Sequence, residues 1–178
     1  MNINSRGRAG FTLVELMVAS ALAVMVGTAI ATLAYFSSRS FMVMANYTNL
    51  NERSQFALDK MSKEIREALR LTSYSTNSLT FQDADGNPLQ FTYNPSARKL
   101  VRVSGGQITA YLTECDALKF LIYQHTVIPK SFDCYNPASA ASAQVIEMQW
   151  KCSRQIRGSK ATTEGVQSAK ITMRNRNY

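Results

Sequence analysis

Hydrophobic and polar positions along the chain fall into three regimes. From Leu16 to Phe36 there is no charged residue in a run of 21, and apolar side chains occupy every face at helical spacing. At about 1.5 Å per residue, a helix of that length spans the roughly 30 Å hydrocarbon core of a bilayer. From Leu50 to Leu69 the pattern becomes one-sided. Leu50, Ala57, Met61, Ile65, Ala68 and Leu69 share a face, with Leu58 beside it. Opposite them Asp59 and Lys63, Lys60 and Glu64, and Lys63 and Glu67 sit four apart, where such pairs add about 0.3 kcal/mol each. The two patterns meet at Ser37-Ser38-Arg39-Ser40 and predict one helix from about Thr12 to about Leu71, roughly 90 Å long by its rise.

From Ser78 the period drops to two. SLTFQ and LQFTYN flank DADGNP, a hairpin signal, and KLVRV and ITAYLT follow with turns at NPSARK and SGGQ. LKFLIYQ and VIEMQW are strands joined by the long segment from His125 to Ala143. A last strand, VQSAKITMR, follows the polar RGSKATTEG. A helix ahead of a run of strands predicts an α+β fold, a long N-terminal helix packed on a C-terminal antiparallel β-sheet. The organisation expected is a leader over 1–10, a membrane helix over 11–36, its amphipathic continuation over 37–71 and a β domain over 72–178.

Charge adds direction. The chain carries 20 Lys and Arg against 12 Asp and Glu, a net +8, and losing Arg6 and Arg8 leaves +6. Those two arginines precede the apolar run, so the positive-inside rule keeps the N-terminus cytoplasmic and sends the rest across, placing the β domain outside the cytoplasm. A secretory signal has its cleavage site after the apolar stretch. Here the basic segment ends in Ala9-Gly10 immediately before it. Glu15 is the anomaly, since a carboxylate at bilayer depth is costly without a partner. At the interface, in the first turn of a helix, the dipole favours it.

The residues G-FTLVEL, Gly10 to Leu16, with the uncharged helix behind them, resemble the signal of type IV prepilins and type II secretion pseudopilins. The resemblance covers Arg6 to about Phe36. It implies cleavage between Gly10 and Phe11 by a membrane-embedded prepilin peptidase, N-methylation of Phe11 by the same enzyme, and pairing of Glu15 with the amine of a neighbouring subunit during assembly. Further partners implied are other pilin or pseudopilin subunits, an inner-membrane assembly platform and membrane lipid. Major type IV pilins usually carry a proline in the apolar helix, whereas Leu13 to Phe36 has none and Gly27 is the only breaker. This departure favours a minor subunit, and the outer domain most resembles the J-type pseudopilin.

The three cysteines, Cys115, Cys134 and Cys152, all lie in the part expected outside the cytoplasm, where one disulfide is permitted and one thiol is left over. If LKFLIYQ and VIEMQW form an antiparallel pair, Cys115 falls almost opposite Cys152 while Cys134 belongs to the connecting loop. A Cys115–Cys152 bridge is favoured. A bridge through Cys134 is its rival, as disulfide-bounded C-terminal regions in many pilins imply. Asp83 and Asp85 around Gly86 resemble the start of a calcium loop, but the distant glutamate such loops use is missing, so a hairpin turn is the better reading and no metal site is expected.

His125 is the only histidine and stands beside no nucleophile, so no catalytic set is assembled and no cofactor is called for. The C-terminal cations Arg154, Arg157, Lys160, Lys170, Arg174 and Arg176 could contact phosphate. No aromatic residues interleave them as in stacking platforms, so a solvated rim explains them better than nucleic-acid binding. Two functions remain: a structural pilin-like subunit, or a filament-tip module acting through its basic outer domain. An enzyme is not expected.

Overall fold

The computed structural model describes residues 10–125, 135–156 and 162–174. Arg6, Arg8, Cys134, Arg157, Lys160 and Arg176 lie outside the described residues. One helix, α1 (Leu13–Glu67), is followed by β1 (Arg70–Ser75), β2 (Ser78–Gln82), β3 (Pro88–Asn94), β4 (Lys99–Ser104), β5 (Gln107–Thr113), β6 (Cys115–His125), β7 (Tyr135–Pro137), β8 (Val145–Gln155) and β9 (Thr162–Thr172). The architecture is α+β and pilin-like, as the order of hydrophobic patterns predicts.

The chain divides into two compact units, 1–42 and 43–178. The first, over its described residues, is helix with its apolar side chains turned outward. Leu13, Leu16, Met25, Leu33 and Phe36 are all exposed, and none of the most apolar window is buried within the chain. The hydroxyls of Ser20, Thr28 and Thr32 donate to the carbonyls of Met17, Met25 and Ala29 at 2.8–2.9 Å. These three hydroxyls are thus satisfied by their own helix, as a hydrocarbon solvent demands. This long apolar helix suits membrane anchoring.

In the second unit the strands form two antiparallel sheets, one with order β1-β2-β3-β4-β5 and one with order β7-β6-β8-β9. The single sheet expected from the sequence is therefore corrected to two. The chain passes between them at Glu114, whose φ of 62° turns β5 into β6. The helix also ends earlier than expected, at Glu67. Ala68 N–H donates to Glu64 O at 3.0 Å to close the last turn, and Leu69 N–H then donates to Gln82 O at 2.8 Å, already bonding to the sheet. Arg70–Ser75, with the strand-favouring Thr72 and Tyr74, forms β1, which falls between the expected helix end at about Leu71 and the first expected strand at Ser78.

The face of α1 predicted to be apolar is buried at Leu50, Ala57, Met61 and Ile65. It shares a core with Phe81 and Phe91 of the first sheet and Phe120, Met148 and Trp150 of the second. Burying each of those aromatic and aliphatic side chains is worth about 1.5–3 kcal/mol. Ser54 is buried on the same face, 2 % exposed, because its Oγ accepts a hydrogen bond from Trp150 Nε1 at 3.2 Å. Glu64 is not the partner of Lys60. It reaches Arg102 Nε at 2.8 Å and Tyr111 OH at 3.0 Å, while Lys60 lies over the Phe56 ring at 5.1 Å. The two partners bind opposite oxygens of the carboxylate and fix the helix against β4 and β5.

Candidate functional site

The first described residues form a helix start of a specific kind. Gly10, Phe11 and Thr12 precede the helix, so the Gly10–Phe11 bond lies in non-helical, exposed backbone, and Phe11 is 88 % exposed. Such a bond can enter a peptidase site without unwinding a helix. Thr12 is the N-cap: its carbonyl accepts from Leu16 N–H at 3.2 Å, the first bond of the helix, and its Oγ1 accepts from Glu15 N–H at 3.3 Å. Glu15 answers from the third helical position. Its Oε2 accepts from Thr12 N–H at 2.9 Å and from Thr12 Oγ1 at 3.0 Å. This is a capping box, in which threonine and glutamate satisfy each other's free amides reciprocally.

The geometry resolves the anomaly of Glu15 in one respect. The carboxylate has local donors and sits at the positive end of the helix dipole, so the lone chain carries it at moderate cost. Both bonds fall on Oε2, and among the described residues none is made to Oε1. The amide that Glu15 holds belongs to Thr12, one residue after the site where cleavage would create an amine. Sequence reasoning singled out Gly10, Phe11 and Glu15 and missed Thr12. The signal was present as T-x-x-E ahead of an apolar run.

The remaining candidates are scattered. Asp83 Oδ1 accepts from Asp85 N–H at 3.0 Å and Asn87 N–H at 2.7 Å, and Gly86 takes a φ of 85°. These are the bonds of a turn, and they engage the carboxylate a cation would need. Among the described residues no group of three His, Cys, Asp or Glu side chains is placed to hold a metal. His125 ends β6 with its ring edge-on to Tyr135, centroids 6.3 Å apart.

Of the basic set, Arg154 is turned inward. Its guanidinium binds Glu114 at 2.6–3.0 Å and Asn49 at 3.2 Å, and those hydrogen bonds hold the Glu114 carboxyl below its ordinary range. Lys170 lies between the Tyr123 and Tyr135 rings, 5.5 and 5.3 Å from their centroids, with Glu147 at 3.6 Å. Arg174 is exposed, and the other three cations lie outside the described residues. The structure therefore does not gather this set into one solvent-facing patch of described residues. Cys115 and Cys152 are register partners across β6 and β8, as the hairpin reading predicts, and both are free thiols.

Residues 5–31 match the prokaryotic N-terminal methylation motif. No curated protein and no solved structure matches the chain. The chain thus opens on a prokaryotic N-terminal methylation motif, borne on a long apolar helix ahead of antiparallel sheets, an architecture consistent with a type IV pilin-like protein.

Proposed function

We propose that this protein is a minor pilin or pseudopilin, a structural subunit of a type IV pilus or type II secretion pseudopilus, of the J-type by the character of its outer domain. Prepilin peptidase removes residues 1–10 and methylates the amine of Phe11. Before assembly α1 anchors the subunit in the inner membrane with the sheets on the extracytoplasmic side, as Arg6 and Arg8 favour. During assembly Glu15 pairs with the amine of a neighbouring subunit, and the outward apolar side chains from Leu13 to Phe36 exchange lipid for neighbouring helices. The observation that carries this reading is the methylation motif at 5–31 coinciding with a capped helix start whose glutamate stands four residues after Phe11. A role as a filament-tip binding module draws less support, because Arg154 is engaged by Glu114 and Lys170 by Glu147.

The test is mass spectrometry of the N-terminal peptide from cells that contain a prepilin peptidase. A peptide beginning at N-methyl-Phe11 is expected, and it should disappear when the peptidase is deleted. A chain that keeps Met1 in peptidase-containing cells, or begins elsewhere, refutes the processing on which the function depends.

A further inference from the structure

A pair of cysteines lies where the two sheets join. Cys115 and Cys152 face each other directly in the antiparallel β6–β8 ladder, and the register shifts immediately after, between Cys115 and Ala117. Both are buried, 0 % and 2 % exposed. The Cys115 thiol lies within reach of the Cys152 sulfur as well as of Ala117 O at 3.3 Å. The interaction with Cys152 and burial together push the Cys115 thiol up.

The surroundings hold both backbones at this point. Ser153 N–H donates to Glu114 O and Cys115 N–H to Arg98 O, each at 3.0 Å. The Arg98 guanidinium bonds Glu114 O, Ser153 O, Ser153 Oγ and the Asp116 carboxylate. Directly opposed residues of an antiparallel pair carry Cβ atoms about 4.5–5.5 Å apart, and a disulfide needs about 3.5–4.5 Å. The remaining gap of about 1 Å falls at a β-bulge, where a strand bends most easily.

We propose that Cys115 and Cys152 are an oxidation site, closed as a cross-strand disulfide that ties the start of β6 to β8 at the corner between the sheets. The pairing rests on the register alone. Its occurrence in cells rests also on the extracytoplasmic placement proposed above. In the step, one thiolate attacks the disulfide of a protein dithiol oxidase and expels one of its thiolates. The second cysteine then attacks the mixed disulfide and expels the other. Two thiols are oxidised, one disulfide is reduced to two thiols, and the S–S bond forms within this chain. Because both sulfurs are buried in the fold, exchange takes place before β6 and β8 close.

The experiment uses the full-length chain in detergent in two samples. One is taken from cells and alkylated in urea without reductant. The other is reduced in urea, refolded in oxidised glutathione and then alkylated in urea. Peptide mapping should find a Cys115–Cys152 linked peptide in both, with only Cys134 of the three cysteines alkylated. A Cys134→Ser variant should keep the gel-mobility shift on reduction, and Cys152→Ser should lose it. Alkylation of both Cys115 and Cys152 in the refolded sample, or a link through Cys134, overturns the proposal. The link in the refolded sample but not in cells upholds the pairing and overturns the extracytoplasmic placement instead.

Discussion

Replacing Ser54 by alanine removes one hydroxyl from the middle of the helix-to-sheet contact. The Ser54 Oγ accepts the indole N–H of Trp150 at 3.2 Å, and both residues are 2 % exposed. In Ser54→Ala that N–H stays buried without an acceptor, which costs about 1–3 kcal/mol. Alanine returns roughly 0.5 kcal/mol through its better helix propensity, so a net loss of about 1.5 kcal/mol is expected. A denaturant slope of about 2 kcal/mol per molar urea converts this into a midpoint about 0.75 M lower.

Trp150 is the only tryptophan in the chain, so its emission reports this contact as it breaks. The measurement is a urea titration of the full-length protein in detergent, with the slope compared between parent and variant. A cycle with Trp150→Phe, followed by circular dichroism because the fluorophore is gone, should return a coupling of about 1 kcal/mol. A Ser54→Ala midpoint within about 0.2 M of the parent, at an unchanged slope, would refute the reasoning: the buried hydrogen bond would then contribute nothing net.

Three further outcomes are expected. Glu15→Val should leave membrane insertion intact and abolish incorporation into filaments, read by shearing and immunoblot, and normal incorporation would contradict the role given to Glu15. Thr12→Ala removes the cap from Glu15 and its own hydroxyl donor, so amide exchange over the first helical turn should quicken, with Thr12→Ser restoring protection. Burial, reinforced by the Glu64 carboxylate, pushes the Tyr111 phenol up to about 12 from 10.0. A raised phenol stabilises the fold fully below pH 10, and that stability is lost as pH climbs from 10 to 12, because the unfolded chain gives up its proton first. Alkaline unfolding of Tyr111→Phe should lack this component, and identical profiles for the two proteins would contradict the assignment.

The helix, its buried face and most strands were legible because each rests on a period in the sequence. Leu50, Ala57, Met61 and Ile65 repeat as a helix face does, and the alternation in SLTFQ marks β2 to the residue. Even the Cys115–Cys152 register followed from hairpin symmetry. What escaped was set by long-range contacts. Glu64 has a Lys four residues before it, yet Arg102 and Tyr111, 38 and 47 residues on, supply stronger geometry. The division into two sheets depends on a positive φ at Glu114, a residue type with no particular preference for it. Arg154 looked like a solvent cation because the carboxylate that binds it lies 40 residues earlier in the chain. Thr12 was different, since its partner is local and its signature was in plain view.

The capping box also bears on reversibility. In the proposed assembly, a glutamate already satisfied by Thr12 meets an incoming amine by exchanging one set of donors for another. The gain on joining is then a difference between two satisfied states, smaller than the full worth of a new ion pair. A junction of that kind can be undone without stranding a charge, because the departing subunit closes its own turn again. Retraction and recycling of subunits in the bilayer would draw on the same few hydrogen bonds that begin the helix.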